Sequence, residues 1–142
     1  MQYICDASRD TWFRLETLAE AAAESSEMDH AVERYFREAY ERAQSSYVPP
    51  PGGRFIEQNI GLKDYIQRTM PMFVTLRSNE GEALVTGMLP PGGKPQPGFR
   101  PIIVGKANSD PYPEHGGAIA ALARHLGMPL DRERCFPYQR GG

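Results

Sequence analysis

Apolar positions recur with helical spacing most regularly between residues 28 and 43. Met28, Ala31, Val32, Tyr35, Phe36, Ala39, Tyr40 and Ala43 follow an i, i+3, i+4, i+7 pattern, which predicts an amphipathic helix. An earlier stripe, Trp12, Leu15, Leu18, Ala19 and Ala22, lies in an alanine- and glutamate-rich stretch and predicts a helix from Asp10 onward. The two stripes are out of phase. Extending the first would place His30, Glu33 and Arg37 on its apolar face. A break near Ser25-Ser26 is therefore expected, and Ser26-Glu27-Met28-Asp29 has the form of a capping box. The result is two helices, about 10–24 and 27–46, forming a helical pair or one long kinked helix. Charges on the outer face of the second, Glu33 with Arg37 and Arg34 with Glu38 among them, mark it as solvated.

The remaining chain is strand-rich. QYIC (2–5) reads as a short edge strand, and MFVTLR (72–77) and EALVTGML (82–89) as two strands around an SNEG hairpin loop. FRPIIVG (99–105) reads as a third, with Pro101 suited to an edge or a strand start. PPGG segments at 50–53 and 90–93 are connectors. Leu62 to Met70 has room for one or two turns of helix, and a final helix begins near Gly116-Gly117. The fold class is α+β: the N-terminal helical pair packs with a small, mostly antiparallel sheet, its helices on one face, and a C-terminal helix follows. Residues 1–142 are expected to form one domain, with the helical pair at 10–46, a sheet-containing body at 54–126 and a tail at 127–142. In that tail Leu130, Cys135 and Phe136 are expected to pack back, leaving 139–142 loose.

Composition changes this picture little. The 142 residues are 40% hydrophobic and 24% charged, ordinary for a globular chain. A formal net charge of −2 disfavours nucleic acid as partner, since phosphate contacts need a basic surface. No apolar run reaches membrane-spanning length, and MQYICDASRD lacks the features of a signal peptide, so the expected location is cytoplasmic. Cys5 and Cys135 have no metal-ligand spacing and are expected to be buried and inert; a bridge between them is the less favoured alternative.

Candidate chemistry concentrates in SDPYPEHGGAIAALARHLG (109–127). Asp110, Glu114 and His115 could move protons or bind a metal, and Gly116 and Gly117 could admit an anion to free helix amides. The simpler reading of the same residues is a Ser-Asp-Pro turn and a charged helix start. Glu27 and His30 have Glu-x-x-His spacing, but the further glutamates of a carboxylate-bridged metal site are missing from the pattern, so no metal centre is expected there. His125 and Gly127 fit a helix C-terminus. Nucleotide-binding glycine motifs and the GxSxG elbow are absent, and no cofactor is expected. Tyr35, Phe36, Tyr40 and Tyr47 make the second helix unusually aromatic and suit a surface for a protein partner or a second copy of the chain. Two functions follow: a non-enzymatic protein-binding or accessory domain acting through the helical pair, or a small-molecule or metal-binding enzyme with its site at 109–117. Convergence of Asp110, Glu114 and His115 in a concave pocket is the geometry that favours the enzyme.

Overall fold

The computed structural model describes residues 1–135, with 55–58 described by their backbone, and in that range the elements run β1 (Gln2–Ala7), β2 (Asp10–Arg14), α1 (Leu18–Met28), α2 (Val32–Ser46), α3 (Phe55–Thr69), β3 (Met72–Arg77), β4 (Ala83–Leu89), β5 (Ile102–Val104) and α4 (Tyr112–Leu126). The strands form one antiparallel sheet in the order β1-β2-β3-β4-β5, and the fold is α+β. The expectations for Phe136 and 139–142 lie outside the described residues.

Strand β3 explains the layering. Its side chains are buried on both faces, in keeping with an apolar run interrupted only by Thr75 before Arg77. Met72, Val74 and Leu76 join Trp12, Val85, Leu89, Ile103, Ile119 and Leu122 in one core. Phe73, on the opposite face, joins Ala21, Val32, Phe36, Ala39 and Ile66 in the other. Helices α1 to α3 thus cover one face of the sheet and α4 covers the second, not one face alone as expected. Period-2 alternation makes this separation unavoidable once β3 is central. Gly87 on β4 pairs with Val74, and a Cβ there would lie 2.9 Å from the Val74 methyl.

The largest correction concerns residues 10–17. Asp10–Arg14 is a strand paired with both β1 and β3, and Trp12, expected on a helix, is wholly buried in the sheet. Thr, Trp and Phe favour a pleated, half-buried surface, and two available partner strands outweigh a helical spacing read from two residues. A bulge between Tyr3 and Cys5 turns Cys5 toward the α4 core while Tyr3 stays beside Phe13, ring centroids 6.4 Å apart. The capping box is Thr17-Leu18-Ala19-Glu20, not Ser26–Asp29: Glu20 N–H donates to Thr17 Oγ1 and Thr17 N–H to Glu20 Oε1, both at 3.1 Å. Replacing Thr17 by Ala is expected to lower unfolding free energy by about 1 kcal/mol in urea titrations; no measurable loss would mean that the cap is not formed.

The helical pair breaks at Asp29, whose φ of 52° and ψ of 59° are left-handed, rather than at Ser25-Ser26. Serine 25 instead serves the next helix, its hydroxyl accepting from Glu33 N–H at 2.7 Å. Helix α3 runs for fifteen residues from Phe55, longer than the one or two turns expected from Leu62. Its partner α2 is held to it by Tyr47, which packs on Tyr65 with ring centroids 5.1 Å apart. The 72–77 and 83–89 hairpin forms as expected, with Gly81 at φ 84° closing the loop. Strand β5 is shorter than expected and begins just after Pro101. Leu130 and Cys135 pack into the α4 core, and both cysteines are buried and unbridged; burial raises both thiols above their ordinary range. Among the described residues no helix is long and apolar enough to cross a membrane.

Candidate functional site

Helical structure begins at Tyr112, four residues earlier than expected, and kinks at His115 (φ −122°, ψ 15°), directly ahead of Gly116 and Gly117. The N–H of His115 already donates to the Pro111 carbonyl at 2.8 Å. Asp110 is occupied at both oxygens: Oδ1 accepts from Tyr112 N–H at 3.0 Å and Oδ2 from Arg132 Nε at 3.1 Å. With Tyr112 donating its hydroxyl to the Leu130 carbonyl at 2.7 Å, Asp110 ties the head of α4 to the chain that follows its tail. The Glu114 side chain is 87% exposed, and its carboxylate stands 3.8 Å from His115 Nε2, beyond hydrogen-bond reach. Neither Asp110, Glu114 nor His115 lines the two cavities described next. Among the described residues no three His, Cys, Asp or Glu side chains are grouped to hold a metal ion.

The polar chemistry gathers elsewhere. Glu24 is 0% exposed, on the face of α1 shared with Ala21 and Met28. Its carboxylate accepts from the Arg77 guanidinium and from the Thr86 hydroxyl. Arg77 is held further by Nε donating to Thr75 Oγ1 at 3.0 Å and by the Gly81 carbonyl at 3.2 Å. Thr86 in turn meets His30 Nε2 at 2.8 Å. Val32 N–H points at His30 Nδ1, 3.4 Å away, which assigns the lone pair to Nδ1 and the proton to Nε2. The chain of donation runs His30 to Thr86 to Glu24. Glu27, three residues before His30, turns away and accepts from Ala83 N–H at 2.5 Å. His30 and Thr86 then form one edge of a pocket of about 300 Å³ between the start of α2 and strands β4 and β5.

His30 also caps α2, whose N-cap Ala31 has no side chain able to do so. Burial is the main cause holding the imidazole below its ordinary value of 6.5, against the opposing pull of Glu24 and Asp29. Arg77, beyond Glu24, is the cation facing this cluster. A lowered folded-state value means that the unfolded chain binds the proton more readily. Stability is then fully present above about pH 6.5 and falls as pH drops below it. Urea midpoints of the wild type should therefore decline between about pH 7 and pH 5 more steeply than those of His30→Gln; equal slopes would remove His30 from the account.

A larger cavity of about 630 Å³ lies between the start of α1, α2 and α3. Phe36, Leu62, Ile66 and Met70 form its apolar floor, and Leu18 and Tyr40, 40% and 37% exposed, stand in its walls. Arg14, Arg37 and Lys63 share the rim with Glu16 and Glu41; Arg37 pairs with Glu33 at 2.7 Å. The four aromatics of the expected partner surface are thereby separated. Phe36 is core, stacked near Tyr40 and 5.1 Å from the Phe73 ring. Tyr40 faces this groove, Tyr35 borders the smaller pocket with Arg34 over its ring, and Tyr47 packs on α3.

The Glu24–Thr86–His30 cluster was not foreseen from the sequence, because 56 and 62 residues separate Thr86 from its two partners. One signal existed: with the helix placed at 18–28, Glu24 falls between Ala21 and Met28 on the apolar face, where an unpaired carboxylate could not remain. No family model matches the chain, and neither does any curated protein or solved structure.

Proposed function

We propose that this protein is a binding module for a partner protein and that the groove between α1, α2 and α3 receives an amphipathic segment of that partner. The observation that supports this is the groove itself: an apolar floor of about 630 Å³ whose walls leave Leu18 and Tyr40 exposed. A rim bearing both signs of charge complements a helix with an apolar stripe and polar flanks. The competing enzyme reading has less support, because Asp110 is engaged by Tyr112 and Arg132 while Glu114 points to solvent.

Peptide display on the immobilised full chain tests the proposal. Selected peptides should carry apolar residues at helical spacing, and Tyr40→Glu or Leu18→Glu should weaken them by roughly tenfold or more with melting temperature little changed. Peptides that bind both variants as well as the wild type, or a selection that enriches none, would overturn it. So would light scattering that finds a dimer dissolved by Tyr40→Glu, which would give the groove to a second copy.

A further inference from the structure

The smaller pocket, independent of that groove, has a chemical polarity of its own. Val32, Phe73, Met88, Ile102 and Val104 make its walls apolar, with His30 and Thr86 along one edge and Tyr35 and Asn108 also in the lining. A cavity of about 150 Å³ is enough to hold benzene, so about 300 Å³ accommodates one ring with a short substituent.

The hydrogen-bond relay decides what kind of substituent. Thr86 gives its proton to Glu24, and His30 gives its Nε2 proton to Thr86 at 2.8 Å. What that edge retains is the second lone pair on Thr86 Oγ1, since the one on His30 Nδ1 is taken by Val32 N–H at 3.4 Å. A hydroxyl oxygen has two acceptor lone pairs, and an imidazole nitrogen without its proton has one. A carboxylate or phosphate guest would set its own lone pairs against that of Thr86. Behind the relay Glu24 and Arg77 neutralise one another. A neutral guest with a donor complements the edge; an anion does not.

We infer that this pocket binds a small, neutral, largely apolar molecule carrying one hydroxyl donor, of the phenol or alcohol class, with the hydroxyl directed at Thr86 Oγ1. The relay then has a role in selectivity as well as in folding: by drawing both protons inward to Glu24 it leaves the Thr86 oxygen as an acceptor for the guest.

The test is a titration of the full chain with p-cresol, toluene and 4-methylbenzoate, followed by amide ¹H–¹⁵N shifts. p-Cresol should shift the amides of His30, Val32, Gly87, Ile102 and Val104. Toluene, lacking the donor, should bind those same residues roughly fivefold more weakly, the worth of about one hydrogen bond. 4-Methylbenzoate should leave them unmoved. Ile102→Trp, which fills the cavity from the edge strand without touching the relay, should abolish the p-cresol response; Met88→Phe serves if the first variant does not fold. Toluene binding as tightly as p-cresol, a preference for the benzoate, shifts confined to other residues, or an undiminished response in the filled variant would each overturn the inference.

Discussion

Glu24→Ala should reduce the free energy of unfolding by about 3–5 kcal/mol, the cost of breaking a buried ion pair by removing one partner. The magnitude follows from what is left behind. Arg77 would keep a largely buried guanidinium with only Thr75 and the Gly81 carbonyl to satisfy it. Thr86, itself buried, would lose the acceptor for its proton and with it the fixed direction of its contact to His30. Three elements, α1, β3 and β4, lose a shared anchor together. Glu24→Gln should cost less, because the side-chain oxygen can still accept from one partner while the amide group faces the other with a donor. A double variant, Glu24→Leu with Arg77→Met, should recover much of the loss, since apolar replacement of a whole buried pair is often close to neutral. Urea titrations at pH 7 measure all three. A loss below about 1 kcal/mol for Glu24→Ala would show that the carboxylate is solvated in the native protein, and the pocket inference would fall with it.

Trp12→Ala should be of similar size, about 3–5 kcal/mol, the range for deleting a large buried aromatic. Trp12 is wholly buried on β2 and packs in the core that joins the sheet to α4. Its indole N–H donates to the Ala118 carbonyl of α4 at 2.8 Å, so one side chain supplies both packing and a directional bond between the two layers. Trp12→Phe keeps most of the packing and loses the bond, about 1 kcal/mol plus the smaller void. As the single tryptophan of the chain, it also reports directly. Native emission should be that of a buried indole and should shift red on unfolding. An emission already typical of solvent in the folded state would contradict the placement of β2, and with it the sheet order.

Trp12 also shows where sequence periodicity stopped being informative. Two residues three apart, Trp12 and Leu15, fit a helical face and an in–out strand followed by a turn equally well. Only the presence of β1 and β3 on either side selects the strand. The Thr17-x-x-Glu20 cap would have placed the true helix start, because capping chemistry is local in a way that strand pairing is not. Helix α2, the β3–β4 hairpin and the end of α4 at Gly127 were legible for the same reason. Each is decided within about a dozen residues by side-chain period, turn chemistry or cap.

The candidate sites were less legible than the fold. Residues 109–117 look chemically rich as a string, yet folding spends Asp110 on a structural tie to Tyr112 and Arg132 and leaves Glu114 in water. The aromatic side of α2 was visible as a stripe, but which ring is core, which faces the groove and which borders the smaller pocket depends on where α3 and β4 lie. By itself the sequence determined what local chemistry determines: the fold class, the hairpin, the long amphipathic α2 and the capped end of α4. Tertiary structure alone decided that β2 is a strand, that helices cover both faces of the sheet, and that Glu24, Arg77, Thr86 and His30 meet. The physical reason is that burial and pairing across more than 50 residues of chain are properties of neighbours in space, which a residue's neighbours in sequence do not specify.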